Sequence, residues 1–235
     1  MQKMWWTGAL LFGLAGAGGF SGCKKSSDMK AVCRVVGIYN VQDSVNEGLT
    51  YDSHGRLSVL AAGSQIYTYD RSDNRTIITY YSAGLLISKT TVITNQAGLA
   101  VNVRLENTQI GVDWINDVNE YEDERIIRTT RTASDHRPAV ITTYQWTDGN
   151  MTISITGSDT THYSYYTDKP RQPGDYLSLA QLTTGYEIYR VKNLFKSQGD
   201  IDFVYSWGPD GKISAFKAME GGSNIAGILL DHQCE

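Results

Sequence analysis

Three cysteines, four histidines and one crowded acidic stretch are the side chains here whose types could carry chemistry. The histidines are His54, His136, His162 and His232, far apart in the chain and in no nucleophile or metal motif. No CxxC or His-rich spacing accompanies them, so no zinc-type site is expected. The acidic stretch runs Asp117, Glu120, Glu122, Asp123, Glu124. Calcium takes several oxygen ligands, but this run lacks both the spacing and the glycine of an EF-hand loop. In a strand its alternate carboxylates would point to opposite faces. Arg125, Arg128 and Arg131 follow directly, so cross-strand charge pairs are the expected use of these acids. Ser206 lacks the Gly-x-Ser-x-Gly elbow of a serine hydrolase. A glycosidase needs two carboxyls about 5–10 Å apart across a cleft, and nothing in the sequence selects a pair from the 25 acids. The expectation is no catalytic residue, no metal and no cofactor.

Aromatic side chains are the better candidates for binding. Fifteen tyrosines and five tryptophans offer flat faces suited to sugars, lipids or peptides. Cross-strand aromatic pairs would also stabilise a sheet by about 0.2–1 kcal/mol each. Both uses stay open, and no individual ligand-binding residue can be named.

Cys23 has a different chemistry. The chain opens with one positive charge, Lys3, followed by an uncharged run from Met4 to Gly22. Trp5, Trp6, Leu10, Leu11, Phe12 and Leu14 form its apolar part, and glycines at 8, 13, 16, 18, 19 and 22 dilute it. That is the layout of a secretory signal. Six glycines argue against a retained membrane helix, since each costs up to about 1 kcal/mol relative to Ala. The exit site Phe20-Ser21-Gly22-Cys23 resembles the lipobox of bacterial prolipoproteins, with Phe20 where Leu is usual, as in Bacteroidetes. The resemblance implies that residues 1–22 are a signal peptide and that Cys23 becomes the acylated N-terminus. Palmitate-type chains would then anchor residues 23–32 as a tether, each buried methylene adding about 0.8 kcal/mol. The expected location is the cell envelope, as an outer-membrane lipoprotein. Lys24 and Lys25 stand where surface-displayed relatives carry acids, which favours the periplasmic face.

With Cys23 lipidated, Cys33 and Cys234 remain as an even pair in an oxidising compartment. They are expected to form a disulfide; two free thiols are the alternative. Residues 33–235 then read as a single β domain. At 41% hydrophobic and 20% charged the chain is globular, and a net charge of −4 without a basic face excludes a nucleic-acid partner.

The elements that must position these residues are strands. Tyr51-Asp-Ser-His-Gly55-Arg56-Leu57 repeats in register as Trp207 to Ile213, and more loosely as Trp146 to Met151, Tyr121 to Ile126 and Tyr81 to Leu85. Asp-Gly and Pro-Asp-Gly are hairpin turns. Between them lie alternating runs: Ile66 to Tyr69 before a turn at Asp70 to Asn74, Thr76 to Tyr80, Leu85 to Thr94, Leu99 to Leu105, Val140 to Trp146, Met151 to Thr156, Thr161 to Tyr166, Glu187 to Phe195, Ile201 to Trp207, Lys212 to Met219 and Ile225 to Leu230. The pattern predicts an all-β, antiparallel up-and-down meander of roughly a dozen strands closing into a barrel or strongly curved sheet. Charges on alternate faces over 125–131 and 192–196 are unlike a clean lipid-facing band. One stretch departs from the pattern. Pro170, Pro173 and Gly174 precede a short helix near 175–183, with Asp175 as N-cap and Gly185 at the C-terminal cap. Tyr176, Leu179 and Leu182 can share its buried face.

The lipobox, the Tyr-Asp-x-x-Gly-Arg-Leu repeats and Tyr163-Ser-Tyr-Tyr-Thr-Asp-Lys-Pro170 before the helix together resemble the DUF4595-type lipoproteins of Bacteroidetes. The resemblance covers about residues 35–220. It implies a porin-like β fold and brings neither an activity nor functional residues. The resulting expectation is a non-catalytic envelope lipoprotein, held to a membrane by its lipid, that binds a small amphipathic ligand or a protein partner or serves structurally. A hydrolase of envelope or dietary glycans is the alternative, with a glycan as its ligand.

Overall fold

A computed structural model describes residues 33–107 and 112–234. The first half of the meander is β1 (Cys33–Asn40), β2 (Val45–Tyr51), β3 (Leu57–Ala62), β4 (Gln65–Ser72), β5 (Arg75–Ser82), β6 (Leu85–Thr94), β7 (Ala100–Asn107) and β8 (Trp114–Glu122). The second is β9 (Arg125–Ala133), β10 (Val140–Thr147), β11 (Asn150–Thr156), β12 (Asp159–Pro170), β13 (Asn193–Gln198), β14 (Ile201–Trp207), β15 (Ile213–Glu220) and β16 (Ser223–Cys234). Helix α1 (Tyr176–Thr184) lies between β12 and β13. Each strand pairs antiparallel with its chain neighbours, and β1 closes on β16, so the barrel has no free edge. The strands number sixteen rather than a dozen. The difference arises where charges or glycine mask the alternation: Val45–Tyr51 contains Glu47 and Gly48, and the acidic and basic runs around Asp123 turn out to be β8 and β9.

Period-2 alternation decides which side chains fill the lumen. In β14, Phe203 and Tyr205 are buried while Asp202, Val204 and Ser206 face out. In β15, Phe216 and Ala218 are buried and Lys217 between them is exposed. The seam pairs Cys33 with Cys234 through Asn40 with Ile228. The two cysteines are bonded, their Cα atoms 4.0 Å apart. The disulfide read from the sequence therefore staples the two ends of the meander side by side.

The repeated turn motif has a clear structural use. Its aromatic residue sits at a β-bulge in every copy: at Tyr51, Tyr81, Tyr121, Trp146 and Trp207. A bulge increases local twist and re-aims the side chain. Three of these aromatics then bond a carbonyl on the preceding strand: Tyr51 to Val35, Tyr121 to Ala100 and Trp146 to Ile126. At the turn itself, Asp52 accepts the backbone N–H groups of His54 and Arg56, each at 2.9 Å. Those bonds, led by the one from Arg56, hold its carboxyl down at about 2. In the Tyr121 copy, Glu124 takes the glycine position at φ 61°.

The connection from β12 to β13 folds into the barrel. Tyr69 of β4 donates to the carbonyl of Thr183, Ala100 of β7 to that of Glu187, and Tyr121 of β8 to that of Ile188. Asn150 of β11 accepts the N–H groups of Lys192 and Asn193, and Gly174 lies against Leu230 of β16. Only a segment inside the lumen can meet strands around the whole circumference. Asp175 caps α1 through the N–H of Ser178 at 2.6 Å, and Gly185 ends it in the left-handed region. Leu177 and Leu179 are buried and Tyr176 stacks on Phe203 at 4.3 Å, so the helix buries more than the single face the sequence suggested. Glu187 to Lys192, read as the start of a strand, belongs to this plug, and β13 begins at Asn193. The turn after β4 likewise shrinks to Asp73 and Asn74.

The plug enters at the end of the barrel that holds Cys33, Cys234 and the turns at 52–56, 123–124, 148–149 and 208–212. The opposite end carries the turns at 41–44, 63–64, 83–84, 157–158, 199–200 and 221–222. The outward face carries charge along its length: Lys89, Arg104, Glu120, Arg128, Lys196 and Lys217. Exposed apolar side chains share that face, among them Ile66, Val118, Ile127, Val204 and Leu229, so charge interrupts it and it forms no continuous apolar band.

Candidate binding cavity in the lumen

Above the plug the lumen is not filled. A cavity of about 370 Å³ is lined by Glu47, Leu60, Tyr67, Ile78, Thr90, Thr183, Thr184 and Tyr186. Five strands, β2 to β6, supply one wall through inward positions. Glu47 stands opposite the buried Ile38, and Tyr67 opposite the buried Leu60. The floor is the C-terminal turn of α1 and the residues after it. Tyr67 stacks on Tyr80 of β5 with centroids 4.4 Å apart and planes 11° from parallel.

Electrostatics distinguish Glu47 from the other acids. Among the described residues no hydrogen bond or ion pair reaches its carboxylate, and burial raises its carboxyl above the ordinary value. Burial, then the neighbouring Tyr80 and Glu47, raises the Tyr67 hydroxyl as well. The last turn of α1 contains no basic residue. Its carbonyls carry the negative end of the helix dipole, and that end forms the cavity floor. The mouth above has the same sign. Asp43, Asp113, Asp135, Asp159, Asp200 and Glu220 stand in or beside its turns, and Arg137 is bonded to Asp135.

The residues singled out in the sequence do not converge here. His54 lies in the turn after β2, His136 in the loop after β9, and His162 on the outside of β12. His232 is within 2.8 Å of the Ile213 carbonyl. Among the described residues no group of His, Cys, Asp or Glu could hold a metal ion. The acidic run pairs across β8 and β9 as expected: Asp117 opposite Arg131, Glu120 opposite Arg128, Glu122 opposite Arg125. Asp117 faces the lumen and takes two 2.8 Å bonds from Arg131. Glu120 meets Arg128 on the outer surface at 3.5 Å. Cys23, the expected lipid anchor, lies outside the described residues. Glu47 was not noticed in the sequence. The signal that could have found it is an acid at an inward position between Val45 and Leu49.

No protein-family profile matches this chain, and no curated protein does. A solved structure described as a porin-like protein from Bacteroides uniformis ATCC 8492 superposes with a TM-score of 0.57. The two sequences are 13% identical, and the match covers 86% of this chain and 96% of that one. At this identity the likeness speaks for the barrel fold alone. A porin-like fold is what the resemblance to DUF4595-type lipoproteins implied, but no profile ties the chain to that group.

Proposed function

We propose that this is a non-catalytic cell-envelope lipoprotein of the DUF4595 type, anchored through Cys23, whose lumen receives a small amphipathic ligand. The observation that carries the reading is the division of the lumen into a plugged end and an open, lined cavity. A barrel with only a structural role has no need of that space. The cavity has a mixed lining that suits an amphipath: Leu60, Ile78 and the rings of Tyr67 and Tyr186 beside Glu47 and three threonines. The lipobox resemblance, the turn repeats and the fold shared with a Bacteroides protein support the envelope assignment. The charged outer face supports a barrel that does not itself span the bilayer.

The hydrolase alternative needs two facing carboxylates. Glu47 is the one carboxylate lining this cavity among the described residues, and Asp117 is engaged by Arg131. Those facts favour binding over hydrolysis.

The test uses the mature protein and the neutral fluorescent probe N-phenylnaphthylamine. Saturable one-to-one binding is expected, and Thr90→Trp, which fills the cavity, should abolish it without lowering the unfolding midpoint. Absent binding, or binding unaffected by Thr90→Trp, would overturn the lumen reading. Glycan release lost on changing one carboxylate would overturn the non-catalytic reading. Cys23→Ser should move the protein out of the membrane fraction; unchanged fractionation would refute the anchor.

A further inference from the structure

We propose that the cavity selects amphipaths with a cationic head, an alkylammonium class of ligand, its charge placed at Glu47 and its apolar body on Leu60, Ile78 and Tyr186. This rests on the lumen reading above and names the ligand class for it.

Three features of the cavity and its approach have the same sign. Glu47 offers a carboxylate with no partner among the described residues, on a wall where no lysine or arginine lines the space. Tyr67, braced by Tyr80, places an aromatic ring in the same wall. Ring quadrupoles attract ammonium groups within about 6 Å of the centroid. The floor is the C-terminal turn of α1 at Thr183 and Thr184; the negative end of its dipole is already met by Arg71 at the Gly185 carbonyl, so selection falls to the wall and the mouth. The approach is acidic too, through Asp43, Asp113, Asp159, Asp200 and Glu220. Glu47 is the one charged side chain lining the cavity among the described residues, the Arg131 guanidinium elsewhere in the lumen is paired with Asp117, and a cavity lined by one sign of charge concentrates ions of the other sign.

The same features discriminate against other amphipaths. A fatty-acid carboxylate would meet Glu47 and the acidic mouth with like charge. A neutral sugar head gains no charge interaction and leaves Glu47 half-desolvated without compensation. The apolar half of the wall contributes equally to all three, so selection lies in the head group.

The experiment displaces bound N-phenylnaphthylamine with dodecyltrimethylammonium, dodecyl maltoside or dodecanoate, each below its micellar concentration. The ammonium should displace the probe at a concentration at least about tenfold below that of the maltoside, and dodecanoate should be the weakest. Glu47→Gln should erase the ammonium's advantage while the probe still binds. Glu120→Gln, which removes the same charge from the outer face, should leave it unchanged. Equal displacement by all three amphipaths with probe binding intact would overturn the cationic assignment and leave the lumen reading standing. So would an advantage that survives Glu47→Gln. Absence of saturable probe binding would overturn both.

Discussion

Gly185 sits directly against the ring of Tyr69: a Cβ placed on it would overlap two ring carbons, Cδ1 and Cε1. This contact seats the plug, since the Tyr69 hydroxyl also bonds Thr183 and Arg71 donates to the Gly185 carbonyl at 3.1 Å. Gly185 has φ 78°, so Gly185→Ala carries two penalties. The left-handed backbone costs about 1–2 kcal/mol, and overpacking adds about 1–3 kcal/mol. Gly63 has φ 58° with nothing within 4 Å of its Cβ position. Gly63→Ala should therefore show the backbone cost alone. Urea unfolding of the two variants measures the difference, and equal losses would refute the packing account.

Asp175 is fully buried as the N-cap of α1. Burial raises its carboxyl above the ordinary aspartate value, opposed by the Ser178 N–H and the charge of Arg171. A folded value above the unfolded one means the native state holds the proton more tightly. This group's contribution is full below the ordinary aspartate range and declines as pH rises through the folded value. Asp175→Asn keeps an acceptor for Ser178 without a buried charge. It should match or exceed the parent's stability at pH 7 and flatten the pH dependence between pH 4 and 7. Asp175→Ala loses the cap and should cost about 1–2 kcal/mol. Unfolding midpoints across that range test both, and an Asn variant less stable than Ala at pH 7 would contradict the account.

The Cys33–Cys234 bond closes a sequence separation of 201 residues. In the chain-entropy model a loop of that size restricts the unfolded state by about 5 kcal/mol. The β1–β16 ladder pairs the same strands without it. The double variant Cys33→Ser with Cys234→Ser should keep the strand-rich circular dichroism spectrum, unfold at lower urea and show a steeper urea dependence. Loss of the native spectrum in dilute buffer would mean that the ladder does not close the barrel unaided.

Asn150 anchors the returning limb of the plug. Its Nδ2 donates to Asn193 Oδ1 at 2.9 Å, and its Oδ1 accepts the N–H groups of Lys192 and Asn193. Asn150→Ala leaves the Asn193 N–H and Oδ1 without these partners, at about 1–3 kcal/mol for each unsatisfied group, while the Lys192 N–H keeps the Gly149 carbonyl at 3.0 Å. Amide exchange at Asn193 should accelerate well beyond that in β14 and β15. Uniform acceleration across the barrel would show that the plug and the barrel open as one unit.

Much of this architecture is local and can be read from the chain alone. Period-2 alternation in runs such as Ile201–Trp207 and Thr76–Tyr80 determined strands, and the Asp-Gly turns determined hairpins in series. Asp175 and Gly185 marked the helix because capping is a property of a few adjacent residues. The even pair of cysteines determined the clip. Where charges interrupt alternation, as in β2, β8 and β9, the local signal weakened and strands were undercounted. Glu187 to Lys192 alternates like a strand, yet its backbone is taken up by Ala100, Tyr121 and Asn150 from three different strands. Tertiary structure alone decided that the connection turns inward, that three of the repeat aromatics bond carbonyls of the preceding strands, and that Glu47 and Tyr67 line one cavity above the helix terminus. Each of these depends on register and on closure of β1 against β16. Both arise from pairings between distant residues, which no local pattern encodes.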